Sequence, residues 1–144
     1  DVPFCLSGGT QRAEGIGDVL TPIRGMKLHL VVLKPKEGVS TKKLFSLLKL
    51  PRKMPDTTAC IKALADGDLS ALSLLLYNAL EEPAIALVPE IGRAKEALLS
   101  AGALAVSMTG SGSAVFGVFR TKQEAEAALP ALAEFAFARV CESI

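Results

Sequence analysis

No apolar run in this 144-residue chain approaches the ~20 residues that cross a bilayer as a helix, so no helical membrane span is expected. No basic segment leads into an apolar one near Asp1, and no signal peptide is expected either. An excess of one charge is also lacking. Sixteen Lys and Arg stand against 15 Asp and Glu without an extended block of either, whereas a nucleic-acid surface needs a concentrated basic stripe. Cysteine is scarce, at three; Cys5, Cys60 and Cys141 are widely spaced and include no CxxC pair. They read as buried or free thiols in a reducing cytoplasm, not as a zinc site. Histidine occurs once, at His29, inside an apolar strand-like run, and no GxSxG elbow accompanies it. A Ser-His-Asp hydrolase is thereby excluded and a structural histidine is expected.

What the chain does have is a glycine-rich turn, MTGSGSAVF at residues 108–116, with β-type apolar runs before and after it. Two such runs around a short turn are most simply joined as a hairpin. A Walker phosphate loop needs GxxxxGK[ST] between a strand and a helix; here no lysine follows Gly112 and the next element is a strand, so that reading fails, as does a dinucleotide GxGxxG. What remains is a tight Gly110-Ser111-Gly112 turn. Without Cβ atoms a partner can approach the backbone, and successive N–H groups can form an anion-binding nest. The hydroxyls of Thr109, Ser111 and Ser113 would add donors, while a plain hairpin turn without a ligand accounts for the same residues.

Along the chain, residues 1–23 contain short β-type pieces broken by Gly8, Gly9, Gly15 and Gly17, which predict a strand and a hairpin. Residues 21–25 are the expected domain boundary. Residues 27–33, KLHLVVL, predict a central strand. Ser40 or Thr41 is expected to cap a helix over 42–49 that buries Leu44, Leu47 and Leu48 and stops at Pro51. The basic, amphipathic stretch 42–53 reads as a solvated helix face, with contact to an anionic ligand or a partner as the alternative. A second helix starts at Asp56 or Thr57, a third is capped by Asp68, Pro83 interrupts, and Pro89 opens a fourth that ends at Gly102. The hairpin over 104–119 follows. Thr121 to Glu124 form a capping box for a helix with Ala125, Ala128, Leu129 and Leu132 inward, and a last strand covers 135–140. This order predicts an α+β fold, a β-α-β-β-α-β ferredoxin-like sandwich with an enlarged helical layer.

The turn takes on more meaning beside the first residues. DVPFCLSGG at residues 1–9, EGIGDVLTP at 14–22, GVST at 38–41 and TGSGSAVF at 109–116 stand in the order found in GHMP small-molecule kinases, and the chain resembles the second half of such an enzyme. Within that family it is most similar to the branch acting on 4-diphosphocytidyl-2-C-methyl-D-erythritol in non-mevalonate isoprenoid synthesis. The resemblance implies that residues 1–25 are the tail end of the family's N-terminal domain and 26–144 its C-terminal ferredoxin-like domain. It implies that Asp1 orients and deprotonates the acceptor hydroxyl, and that Gly110, Ser111 and Gly112 steady the phosphate region with Thr109 and Ser113 beside them. Ser7, Gly8 and Gly9 would bring backbone close to substrate, although a bulge or turn explains them as well. Thr41 falls in a segment resembling one that lines the substrate pocket, and helix capping already explains it.

ATP and Mg2+ are the implied cofactors, both held mainly by a first half that these residues do not include. That half is the implied partner, besides the small-molecule substrate; neither nucleic acid nor membrane is. Starting at Asp1 without a methionine, inside a family motif, the chain reads as a piece of a longer cytoplasmic protein that alone neither binds ATP well nor turns over. Two other readings stay open. One is a GHMP kinase of homoserine or mevalonate type; the other is a non-catalytic ferredoxin-like module that binds a small ligand or a partner protein.

Overall fold

The computed structural model describes residues 2–48 and 55–143. Its first elements are a short helix, α1 (Val2–Ser7), and an antiparallel hairpin of β1 (Gln11–Glu14) and β2 (Val19–Pro22). The predicted hairpin forms, but the strand expected before it is helical. Pro3 sits in the first turn of α1, where its missing N–H needs no partner. The Ser7 hydroxyl donates back to the Pro3 carbonyl at 3.1 Å, and Gly8 and Gly9, at φ 64° and 68°, supply the left-handed exit that stops the helix.

The remaining elements build one antiparallel sheet and its covering helices. They are β3 (His29–Lys34), α2 (Thr41–Ser46), α3 (Thr57–Asp66), α4 (Leu69–Leu75), α5 (Glu81–Leu87), α6 (Glu90–Ser100), β4 (Ala105–Met108), β5 (Val115–Phe119), α7 (Lys122–Ala128) with a 3-10 turn (Leu129–Leu132), and β6 (Phe137–Glu142). The strand order β4-β5-β3-β6, with every pair antiparallel, is that of a ferredoxin-like sandwich. β3 lies inside the sheet, paired with β5 on one side and β6 on the other, as its run of branched residues predicts. The fold is α+β, and α2 to α6 enlarge its helical layer.

Local chemistry sets the helix starts. The Ser40 hydroxyl accepts from the Lys43 N–H, and the carboxylates of Asp56 and Asp68 accept from Ala59 and Ala71 N–H groups, each satisfying an orphan donor of a first turn. Thr41 is therefore the first residue inside α2, and Ser40 is its cap. Thr121 caps α7 by accepting from Glu124 N–H. The Glu124 carboxylate returns to Arg120 N–H at 3.1 Å, one residue earlier than a standard capping box.

Three expectations need correction. Pro83 does not interrupt: it occupies the third position of α5, where the first-turn N–H is unpaired anyway, and it is buried. Leu47, expected inside, is exposed because α2 ends at Ser46 and Leu47 lies beyond the last turn; the expected run to residue 49 and stop at Pro51 fall outside the described residues. The final strand is displaced two residues, starting at Phe137, since Phe135 closes the 3-10 turn through its N–H to Leu132 O at 3.2 Å.

The core lies between the inner face of the sheet and the helices. Val31 and Leu33 of β3 and Val115 and Phe119 of β5 pack in one cluster with Ile91, Ala94 and Leu98 of α6, and with Ala125, Ala128 and Leu132. Ile91, Ala94 and Leu98 fall at helical spacing, so α6 buries one stripe. Gly117 lets α6 approach: a Cβ there would lie 2.9 Å from Ala103 Cβ and 3.1 Å from Leu98 Cδ2. No residue before Val31 is fully buried among those described. Also among the described residues, no helix is long and apolar enough to cross a membrane. Cys5, Cys60 and Cys141 are all free, and burial pushes the Cys60 thiol up.

His29 stands opposite Glu142 across the β3–β6 pair, with Nδ1 3.2 Å from a carboxylate oxygen, a structural placement as the sequence predicts. Lys27 donates to the same carboxylate at 2.9 Å and, as the main cause, holds its pKa below the ordinary glutamate range. A lowered folded-state pKa contributes stability that is present above the unfolded value and lost as pH falls through the folded one. Glu142→Gln is therefore expected to leave stability unchanged in its dependence on pH above neutrality and to flatten the acid limb below the glutamate range. Thermal unfolding from pH 7 to pH 3 reads this, and an acid limb as steep as in the parent would contradict it.

Candidate functional site

The glycine turn closes the β4–β5 hairpin. Thr109 N–H donates to Ala114 O at 3.0 Å and Gly112 N–H to Thr109 O at 3.0 Å, so the six residues from Thr109 to Ala114 fold back as a compact loop. Gly110 and Gly112 adopt φ 54° and 81°, and the Gly112–Ser113 peptide is cis. Among the described residues, the N–H groups of Gly110, Ser111 and Ser113 have no hydrogen-bond partner. The Ser113 hydroxyl is buried and equally without one. A loop that leaves several donors free, one of them buried, suits an acceptor-rich ligand such as a phosphate.

Two further segments meet this turn. The Thr41 hydroxyl, at the start of α2, lies 3.3 Å from the Ser111 hydroxyl. Its neighbour Val39 faces Gly112: a Cβ at Gly112 would come within 3.4 Å of Val39 Cγ2 and 2.7 Å of Met108 Sδ. The GVST segment and the glycine turn, 70 residues apart in sequence, thus form one surface. On the other side the Asn78 side-chain amide donates to Met108 O at 2.7 Å and to Gly110 O at 2.8 Å. Glu81, at the start of α5, accepts from Met108 N–H at 2.9 Å and pairs with Lys95 of α6. A cavity of about 230 Å³ opens beside Tyr77, Asn78, Glu81 and Lys95.

Gly112→Ala is expected to destabilise the chain by about 1–3 kcal/mol, combining a left-handed backbone with a Cβ pressed on buried Met108. Gly110→Ala, whose Cβ would meet nothing within 4 Å, isolates the backbone part. A urea midpoint equal for both variants would contradict the close packing at Gly112.

Residues 60–138 match the family model described as GHMP kinases C terminal, more than half of the chain. The chain belongs to the GHMP kinase family. A 4-diphosphocytidyl-2-C-methyl-D-erythritol kinase of Caldicellulosiruptor saccharolyticus is 40% identical over 128 residues, which cover 87% of this chain and 44% of that protein. One of Lachnoclostridium phytofermentans is 43% identical over 131 residues, covering 89% of this chain and 45% of the relative. The chain thus spans less than half the length of the curated relatives it matches. A crystal structure of 4-(cytidine 5'-diphospho)-2C-methyl-D-erythritol kinase superposes with a TM-score of 0.85 at 30% identity, over 99% of this chain and 52% of that one. A homoserine kinase from Cytophaga hutchinsonii shares the fold, with a TM-score of 0.76 at 20% identity over 100% of this chain and 50% of the other.

Within this GHMP kinase chain the residues singled out from sequence fall into two groups. Thr41, Thr109, Gly110, Ser111, Gly112 and Ser113 come together at the hairpin turn. Ser7, Gly8 and Gly9 instead serve the end of α1: Gln11 Nε2 donates to the Ser7 hydroxyl at 2.8 Å and to Gly8 O at 2.9 Å. No described contact joins them to the glycine turn. Asp1 lies outside the described residues. Asn78, Glu81 and Lys95 belong to no motif in the sequence, and the fold alone brings them to the turn and its strand end. Among the described residues no group of three or more His, Cys, Asp or Glu side chains gathers as a metal site would require.

Proposed function

We propose that this chain is the C-terminal part of an ATP-dependent kinase that phosphorylates a hydroxyl of 4-diphosphocytidyl-2-C-methyl-D-erythritol, a step toward isoprenoid precursors in the cytoplasm. The observation that carries the reading is the agreement of relatives bearing that activity in their names, at 40% identity over 87% of the chain, with the glycine turn and its free N–H groups. In this reading residues 1–25 belong to the N-terminal domain of the kinase and residues 26–144 are its C-terminal domain. Among the described residues, the absence of any fully buried side chain before Val31 supports that division, since a segment completing another domain contributes little to this core.

Each site residue has a proposed task. Asp1 orients the acceptor hydroxyl and takes its proton. The N–H groups of Gly110 and Ser111, with the Thr109 and Ser113 hydroxyls, offer donors to the phosphates of ATP, while Gly112, its N–H held by Thr109 O, closes the turn and helps exclude water from one side of them. Thr41, held against Ser111, borders the acceptor. Ser7, Gly8 and Gly9 shape the backbone that follows Asp1. ATP supplies the phosphoryl group. The turn fits a phosphate through its free donors, whereas no described cluster fits Mg2+, which would take its ligands from ATP and from residues outside this set. The 144-residue chain alone is expected not to bind ATP tightly or to turn over.

ADP release by the full-length protein, given ATP, Mg2+ and either diphosphocytidyl-methylerythritol, homoserine or mevalonate, tests the reading. Turnover on the cytidyl alcohol alone is the expected result. Turnover on one of the others instead would move the substrate to a different GHMP kinase branch, and none at all would favour a non-catalytic module.

A further inference from the structure

The glycine turn has little internal structure of its own to fix its shape. Two of its residues are glycines, and its internal bonds are those from Thr109 N–H and Gly112 N–H. Its geometry therefore depends on what grips it from outside: the Thr41 hydroxyl meets Ser111, and Asn78 makes two hydrogen bonds. Asn78 Nδ2 donates both hydrogens, one to Met108 O at the end of β4 and one to Gly110 O at the apex of the turn. Its Oδ1 accepts from Leu80 N–H at 2.9 Å, which fixes the amide plane between α4 and α5. All three contacts use the asymmetry of an asparagine amide, two donors and an acceptor. Aspartate has the shape but not the donors, leucine the shape but neither.

Behind Asn78 a second contact sets the same strand end. Glu81 accepts from Met108 N–H with one oxygen and pairs with Lys95 through the other. Met108 is thus held by both its N–H and its C=O, from two residues of the α4–α5 corner, and cannot slide along the strand without breaking both. Resting on the kinase reading above, we propose that Asn78 is a positioning residue that sets the turn for the phosphates of ATP, with Glu81 anchoring the strand end from which the turn springs. Asn78 touches neither substrate in this scheme. It acts by holding Gly110 O, and so the Gly110–Ser111 peptide whose N–H faces the phosphate.

The test uses the full-length protein and separates KM for ATP from KM for the acceptor, with amide exchange across residues 109–114 measured alongside. Asn78→Ala is expected to lower kcat/KM for ATP by about 10²-fold, the effect of a small misplacement at a reacting centre, while KM for the acceptor stays within about twofold. Amide exchange should rise at Thr109 and Gly112, whose N–H groups make the internal bonds of the turn, and remain unchanged in β3. Asn78→Asp should be as impaired at neutral pH and partly recover as pH falls, because a protonated carboxyl regains one donor; Asn78→Ala should show no such recovery. Wild-type kinetics in Asn78→Ala, or an equal rise in both KM values, would overturn the positioning role alone. A parent protein that transfers no phosphate to any acceptor would overturn the kinase reading and the role together.

Discussion

If Asp1 is the proposed general base, Asp1→Asn in the full-length protein is expected to lower kcat by about 10²- to 10⁴-fold, the range that a positioned general base contributes, with KM for ATP within about twofold. Phosphoryl transfer leaves a protein little covalent work: it positions the nucleophile, spreads charge and accepts one proton. An asparagine keeps the size and hydrogen-bonding reach of Asp1 but cannot take that proton, so the loss falls on the chemical step and not on nucleotide binding. Single-turnover rates with saturating ATP measure the effect. A kcat equal to the parent's would remove Asp1 from the chemistry.

Leu98→Ala is expected to cost about 2–5 kcal/mol, as deletion of a buried leucine side chain typically does, and Leu99→Ala less than about 0.5 kcal/mol. The two residues are neighbours on α6, yet Leu98 is fully buried and Leu99 is 50% exposed. Leu98 packs over Gly117 of β5, where the absence of a side chain lets the helix sit close. Truncating it leaves a cavity above Gly117, which has no side chain to fill it. Urea midpoints of the pair read the difference, and similar midpoints would contradict the assigned face of α6.

Much of this fold is written in local patterns. The branched run of β3, the acidic caps Asp56 and Asp68, the Thr121 start of α7 and the apolar arms of the hairpin each act over a few residues, and each led to the right element. The errors arise where a local signal serves two conformations. Pro83 reads as a breaker, but a proline in a first turn costs nothing. VPFCLS at residues 2–7 carries β-favouring residues, yet a following Gly8-Gly9 pair ends a helix as readily as it breaks a strand. The candidate site divides the same way. Glycines and hydroxyls of the turn are contiguous and visible, as is Thr41 through the GVST segment. Asn78, Glu81 and Lys95 are not, because what they do depends on a strand end up to 30 residues away, and no spacing rule encodes a side chain reaching across tertiary structure.

In the function proposed above, the full-length protein moves the γ-phosphate of ATP to a hydroxyl of diphosphocytidyl-methylerythritol. Phosphorus NMR of the complete reaction tests it most directly. A new phosphomonoester resonance is expected to grow in step with ADP while the diphosphate of the cytidyl substrate stays intact. Inorganic phosphate appearing in place of the monoester, or an unchanged spectrum, would contradict it.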